Sequence, residues 1–238
     1  MSSLRVSVAG VTIEITCPHR IAKKGFDNYI TDCKADYYID ISKEDIASYR
    51  QRYDPILGNW QGHIKQSRML EKIAQCLIEK DTLLMHGAVI SAFGSAYLFS
   101  APSGTGKTTH ILKWLERIPN AFVVNGDKPF LKFIENGVVL ACGSPWSGKE
   151  HMNTNTMVPL KSIILMKRAE DNHIEQISFA EAFPFLLQQV YRPSDEDQMR
   201  RTLRLMQRLT PTVSFYQFQC NNFKSDCFDI AYNMLLTD

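Results

Sequence analysis

The sequence has no long hydrophobic run, no excess of one charge and no paired cysteine motif. Its apolar stretches stay well short of the roughly 18 residues that a membrane-spanning helix needs. It has 27 basic and 25 acidic residues, for a formal net charge of +2. This balance argues against a surface that binds nucleic acid or a membrane. Since the first residues do not lead into a signal-peptide core, we expect a cytoplasmic protein that binds neither nucleic acid nor a membrane.

The six cysteines are scattered, without a Cys-x-x-Cys pair or a Cys/His spacing typical of a metal site. We therefore predict reduced thiols, although an even count would also allow disulfides in a secreted chain. With 238 residues, 45% hydrophobic and 22% charged, the composition is ordinary for a globular protein with one sizeable core, alone or with a small lobe.

The most informative segment is residues 101–109, Ala-Pro-Ser-Gly-Thr-Gly-Lys-Thr-Thr. It matches a phosphate-binding loop except at its first position, where Ala101 replaces the usual glycine. In such a loop, backbone N–H groups surround a phosphate, the lysine adds a positive charge and the following hydroxyl can bind Mg²⁺. The alternative is an ordinary glycine-rich turn with an exposed lysine. The predicted phosphate-binding residues are Ser103, Gly104, Thr105, Gly106, Lys107, Thr108 and Thr109.

The surroundings of this loop fit a nucleotide-binding unit. A strand-like run at 96–100 precedes it, a helical pattern at 110–115 follows, and a second apolar run at 121–124 ends at Asn-Gly-Asp. This order has the length of a parallel strand, crossover helix and strand. Because the carboxyl ends of both strands then meet at one edge of the sheet, we expect Asp127 to lie beside the loop.

A histidine enters the same neighbourhood through a predicted hairpin. The runs 83–91 and 95–100 are joined by only three residues, too few for anything but an antiparallel pair. If the turn centres on Phe93 and Gly94, His86 lies opposite Ala101 at the mouth of the loop. His86 is then a site candidate, and the alternative is a hydrogen-bonded strand histidine without chemistry.

A further glycine-containing loop, residues 143–150, follows a hairpin predicted over 129–141 with an Asn-Gly turn. Two glycines, a proline and a tryptophan precede Lys149, so the loop is either a second anion-contacting element or simply a turn.

Together these segments resemble the HPr serine kinase/phosphorylase family, which shares its nucleotide-binding core with the phosphoenolpyruvate carboxykinases. The resemblance lies in 82–150: His-Gly-Ala at 86–88, the loop at 101–108, the strand ending at Asp127, and Gly-x-Pro-Trp-Ser-Gly-Lys at 143–149. The last motif looks like the variant in HPr-kinase-related proteins, including those from peptide natural-product clusters.

The resemblance implies ATP- and Mg²⁺-dependent phosphorylation of a hydroxyl, typically a serine of a peptide or protein. It implies that Thr108 and Asp127 hold Mg²⁺, that Asp127 also serves the acceptor hydroxyl, and that His86 and Lys149 assist at the transferred phosphate. One departure stands out: the family pairs two acids, and Gly126 replaces the first. The late signature associated with phosphorolysis is also absent, so we do not expect reversal.

For the whole chain we predict an α/β fold: a mixed sheet with the phosphate loop in a kinase core at 81–238, and a small N-terminal α+β lobe at 1–80 that could select the acceptor. The lobe would contain a hairpin at 4–15, a strand at 37–41, a loop at Gly58 and Gly62, and a helix at 64–79. The core would continue with a strand at 162–166, helices at 179–190 and from a Ser194 cap onward, a strand at 213–218 and a helix at 224–236. We leave open a homo-oligomer, a nucleotide-binding regulatory module without transfer, and a kinase of small-molecule hydroxyls.

Overall fold

The computed structural model describes residues 2–18, 21, 25–51, 60–221 and 224–237. The predicted loop at Gly58 lies outside these residues, whereas Gly62 belongs to a helix rather than to a loop.

The N-terminal part is a three-stranded sheet with two helices. Strands β1 (Ser2–Val8) and β2 (Val11–Cys17) form an antiparallel hairpin, and β3 (Tyr37–Asp40) adds to β2 in parallel. Ala9 and Gly10 both have positive φ, the conformation a tight hairpin turn requires. Helices α1 (Lys43–Gln51) and α2 (Trp60–Ile78) follow; α1 was not predicted, and α2 begins four residues before the predicted 64.

The remaining strands form a nine-stranded mixed sheet. Seven of its strands lie in the order β4-β8-β9-β10-β6-β5-β7. The strand β12 also pairs with β10, and β11 pairs with β12. The long β10 lies antiparallel to β9 with its first residues and parallel to β6 and β12 with its later ones. The strands are β4 (Thr82–Leu84), β5 (Ala88–Ala92), β6 (Ser95–Ser100), β7 (Phe122–Asn125), β8 (Phe130–Phe133), β9 (Val139–Cys142), β10 (Met157–Arg168), β11 (His173–Ile177) and β12 (Ser214–Cys220).

Helices cover both faces of this sheet because strand residues alternate between them. On β10, Ile163 and Leu165 join the cluster that includes residues of α4 (Phe179–Gln189) and α5 (Glu196–Gln207). Ile164, between them, joins the cluster with α3 (Lys107–Arg117) and α6 (Cys227–Thr237). The predicted mixed α/β fold is confirmed.

A third cluster joins the N-terminal sheet and α2 to the strands of the large sheet, through Leu84, Phe130 and Cys142. Residues from both sides of position 80 thus share one core, and the division into 1–80 and 81–238 stays a prediction.

Several predicted elements are confirmed with shifted ends. The β5–β6 hairpin has the predicted register, with Phe93 and Gly94 at positive φ in its turn, but the run 83–91 breaks into β4 and β5, which pair with different strands. The strands β6 and β7 run in the same direction, yet β5 lies between them and pairs with both.

Two other predictions need correction. Helix α5 is capped by Asp195, whose carboxylate accepts the Gln198 N–H at 2.9 Å, and not by Ser194. Strand β11 was not predicted at all, because its alternation is short and mostly exposed.

The cysteine prediction agrees with the structure. All six cysteines are free thiols. No helix in the described ranges is both long and apolar enough to cross a bilayer.

Candidate active site

The 101–106 loop connects the end of β6 to the start of α3, as predicted. Gly104 has a φ of +79° and Gly106 one of +114°, conformations that favour glycine. Gly106 is the N-cap of α3, and because glycine brings no capping side chain, an anion can take that role at the first turn. Ser103, Gly104 and Thr109 are exposed, and Thr105, Gly106 and Thr108 are half-buried.

Lys107 is turned back into its own loop. Its ammonium donates to the carbonyl oxygens of Ala101 at 2.8 Å and Pro102 at 3.4 Å, and the residue is only 9% exposed. Burial lowers the pKa of Lys107, while the negative charge of Asp127 acts in the opposite direction. The ammonium therefore lies within electrostatic reach of Asp127.

Arg168 also contacts this loop. It is the last residue of β10, and its guanidinium donates to the Gly104 carbonyl. Because β10 is parallel to β6, its carboxyl end emerges at the same edge of the sheet as the loop. Sequence reasoning missed Arg168, although its position at the end of a predicted strand was a usable signal.

His86 and Asp127 form a pair beside the loop. His86 Nε2 is 3.3 Å from Asp127 Oδ1, and the two side chains are 25% and 33% exposed. His86 Nδ1 lies 2.8 Å from the amide oxygen of Gln189, and the His86 carbonyl accepts the hydroxyl of Ser100, the last residue before the loop. The structure thus brings together the predicted residues His86 and Asp127 beside the loop.

The pair sets the ionisation of Asp127. Burial acts to raise the pKa of Asp127, but the hydrogen bond from His86 and the charge of Lys128 outweigh burial and leave the pKa below its usual value. Lys128 Nζ is 3.5 Å from Asp127 Oδ1. Asp127 is therefore a carboxylate at neutral pH, able to accept a hydrogen bond from a hydroxyl.

Asn125, the last residue of β7, positions this carboxylate. Its side-chain oxygen accepts the backbone N–H groups of Asp127 at 2.9 Å and Lys128 at 2.7 Å. Its amide nitrogen donates to the carbonyl and hydroxyl oxygens of Ser144, at 2.9 and 3.1 Å. Asn125 is fully buried and joins the Asp127 turn to the 143–150 loop. Sequence reasoning treated it only as the end of a strand.

The 143–150 loop closes over position 126. A Cβ at Gly126 would lie 2.9 Å from the Ser147 carbonyl oxygen and 3.4 Å from that of Met152, and the Gly126 N–H donates to Met152 at 2.9 Å. Gly148 packs against Asp127, since a Cβ there would lie 3.3 Å from the Asp127 Cβ. The space that a side chain at position 126 would need is thus taken up by backbone.

Lys149 lies in the exposed turn that follows Gly148. The loop that carries Lys149 reaches Asp127 through Gly148. The catalytic role of Lys149 itself stays a prediction. Trp146, in the same loop, donates its indole N–H to the Gln66 carbonyl of α2 at 3.1 Å and packs edge-on against Phe26. The N-terminal part therefore supports the loop over the site.

Across the described ranges, no three acidic, histidine or cysteine side chains converge as a ready-made metal site. Of the predicted metal ligands, Thr108 lies in the first turn of α3 and Asp127 follows β7.

No protein-family model matches the sequence, and no curated protein matches it. Among solved structures, the HPr(Ser) kinase/phosphatase from Coxiella burnetii matches 65% of this chain and 97% of its own, with a TM-score of 0.39 and 12% sequence identity. With an identity and a TM-score this low, the match does not define the activity of the chain.

Proposed function

We propose that this protein is an ATP-dependent kinase that transfers the γ-phosphate to a hydroxyl, with a serine of a peptide or protein as acceptor. The observation that carries the proposal is the Asp127 carboxylate, held by His86 at 3.3 Å, beside a glycine-rich loop that ends at a helix N-terminus and contains the buried Lys107. Phosphoryl transfer requires this combination of a charged phosphate cradle and an oriented acceptor.

The nucleotide would bind along the 101–106 loop and the first turn of α3. The backbone N–H groups from Ser103 to Thr109 would surround the β- and γ-phosphates. The Lys107 ammonium would exchange its carbonyl partners Ala101 and Pro102 for phosphate oxygens. This exchange would give a buried cation a negatively charged partner.

The residues at the loop fit a Mg²⁺ ion that accompanies the nucleotide. A threonine hydroxyl at the start of α3 and one ionised carboxylate are hard oxygen donors of the kind that magnesium prefers, with phosphates and waters completing its shell. Thr108 and Asp127 would hold the ion, which when bound neutralises charge on the phosphates.

Asp127 would orient the acceptor hydroxyl by accepting its hydrogen bond. Its lowered pKa makes it a weak base, suited to a loose transition state in which the hydroxyl keeps its proton until late. His86 would hold the carboxylate in place and, with Lys149, compensate charge on the transferred group. A peptide or protein serine is the acceptor that the HPr-kinase resemblance implies, and a small-molecule hydroxyl is the alternative.

Labelled ATP and a panel of serine-containing peptides test this proposal. Asp127→Asn should still bind ATP by calorimetry, more weakly with Mg²⁺ because it loses a proposed metal ligand, and should lose transfer by at least about 100-fold. Glu135→Gln, at an exposed carboxylate in the turn between β8 and β9, should match the wild type. Lys107→Ala should lose nucleotide affinity. Unchanged transfer by the Asp127 variant would overturn its assigned role, and unchanged ATP affinity of the Lys107 variant would overturn the nucleotide site.

A second candidate function is nucleotide binding without transfer, as in a regulatory or adaptor module. It is favoured by the closed backbone around Gly126, which leaves the site with one acid of the expected pair. Tight ATP binding with no transfer to any peptide or small hydroxyl compound would support this function instead.

A further inference from the structure

A cavity lies beside His86. It has a volume of about 390 Å³ and is lined by α2, by residues 84–86 and by residues 189–191. Leu70, Leu84 and Val190 supply its apolar wall, and His86 and Lys128 mark the end that faces the candidate active site. Its size lies at the small end of ligand pockets, enough for a compact ligand or about one residue and its neighbour.

A series of contacts joins this cavity to the end of β6, where the nucleotide loop begins. His86 lines the cavity and contacts Asp127 at 3.3 Å, and the His86 carbonyl accepts the hydroxyl of Ser100, the last residue before the loop. Lys128 lines the cavity and contacts the same Asp127 oxygen. A molecule in the cavity would therefore contact His86 and Lys128, the two side chains that bind the Asp127 carboxylate.

The two charged residues of the cavity wall already have partners. The Glu71 carboxylate accepts from Arg68 at 2.6 Å, and Lys128 is paired with Asp127 at 3.5 Å. A charged group that enters the cavity would meet one side chain of its own sign and one of opposite sign that already has a partner. It would therefore lose its hydration without gaining a new ion pair. An uncharged ligand avoids this cost.

Backbone groups around the cavity are also used within the fold. The His86 N–H donates to Gln189, the Tyr191 N–H donates to Leu84 and the Met85 N–H donates to Pro129. An added strand would find these donors occupied, so recognition has to come from side chains on the apolar wall.

We propose that this cavity holds the uncharged, apolar side chain next to the acceptor serine, so that the serine hydroxyl lies at Asp127 and the neighbouring side chain packs on Leu70, Leu84 and Val190. This inference rests on the proposed kinase function and extends it to the choice of acceptor. It also assigns a role to α2, which supplies one wall of the cavity.

The probes are three capped tripeptides: acetyl-Leu-Ser-Leu-amide and its relatives with aspartate or lysine in place of leucine. Ser67, on α2, lines the cavity, so Ser67→Trp and the smaller Ser67→Phe should fill it. Lys65→Trp, on the same helix and outside the cavity, is the matched control. Binding is measured by saturation-transfer NMR and calorimetry with ATP present, transfer by labelled ATP, and folding by circular dichroism.

We expect the leucine peptide to bind at least tenfold more tightly than either charged peptide, with saturation transfer to its methyl groups. Lys65→Trp should leave this unchanged, and both Ser67 variants should weaken binding at least tenfold while keeping ATP affinity. Equal binding of the three peptides, no binding of any of them, or full binding by folded Ser67 variants would each overturn the assignment of the cavity. Binding of the leucine peptide without transfer would instead overturn the kinase proposal and leave the preference of the cavity standing.

Discussion

The Ser147 carbonyl oxygen occupies the space next to Gly126, at a distance of 2.9 Å from where a Cβ would be. Restoring an acid at position 126 should therefore damage the protein. We predict that Gly126→Asp lowers the free energy of unfolding by about 1–3 kcal/mol, the usual cost of overpacking, and does not raise phosphoryl transfer.

Gly126→Ala is the matched control, because the clash begins at Cβ. Both variants should lose similar stability in urea unfolding. A stable Gly126→Asp protein with faster transfer than the wild type would show that the 143–150 loop yields and that a pair of acids can be rebuilt.

His86 should control the pH dependence of the proposed reaction through Asp127. Burial raises the pKa of Asp127, and the hydrogen bond from His86 is the largest opposing contribution. Without it, the pKa of Asp127 should rise, so the acid limb of the pH–rate profile should move to higher pH in His86→Phe. In the wild type the carboxylate should stay ionised, and the rate stay level, down to below about pH 4, the ordinary value for aspartate.

The same linkage affects stability. Because the folded pKa of Asp127 is depressed, its contribution to stability is present above the unfolded pKa and is lost as the pH falls through the folded pKa. The difference in unfolding free energy between wild type and His86→Phe should accordingly shrink at acid pH. If the acid limb of the pH–rate profile does not move in His86→Phe, His86 does not control the ionisation of Asp127.

Asn125 should affect both stability and phosphoryl transfer, because it holds the turn that carries Asp127. Asn125→Ala removes the acceptor of the part-buried N–H groups of Asp127 and Lys128 and the donor to the Ser144 carbonyl, whereas the Ser144 hydroxyl keeps its contacts with Lys128 and Trp146. An unsatisfied group costs about 1–3 kcal/mol when it is buried; because two of these three groups are only partly buried, we predict a loss of roughly 2–4 kcal/mol in unfolding free energy and slower transfer.

Asn125→Asp keeps the acceptor for the two N–H groups but replaces the donor to Ser144. It should recover more of the transfer rate than Asn125→Ala if the main role of Asn125 is to hold Asp127. Equal losses in the two variants would instead point to the link with Ser144.

Arg168 should contribute to nucleotide affinity. Its guanidinium already contacts the Gly104 carbonyl, and a phosphate of the bound nucleotide would be a stronger partner. We predict that Arg168→Ala weakens ATP binding about 10–150-fold by calorimetry, in line with the loss of one charge-assisted hydrogen bond. Lys167→Ala is the control, because neighbouring residues of a strand point to opposite faces; a loss as large in this variant would indicate a general charge effect.

Local patterns in the sequence predicted the parts of the site that are continuous in the chain. The register of the β5–β6 hairpin followed from a turn too short for any other connection, and it brought His86 to the loop. The direction of β6 and β7 brought Asp127 to the same edge, although β5 lies between them. Chain geometry over fewer than about thirty residues decides these features.

Other parts of the site depend on contacts between distant segments. Arg168 reaches the 101–106 loop only because β10 pairs with β6, and Asn125 holds Asp127 only because Ser144 anchors its other end. The cavity beside His86 exists because α2 packs against residues 84–86 and 189–191. No local periodicity encodes such pairings.

The sequence by itself determined the loop chemistry, its strand and helix, and the presence of a histidine and a single acid nearby, since backbone propensity and short connections act locally. Only the tertiary structure decided that a Cβ at position 126 would crowd the Ser147 carbonyl, which groups hold Asp127 ionised, and where the cavity beside His86 lies. These depend on close packing between segments far apart in the chain, where a few tenths of an ångström determine whether a group fits.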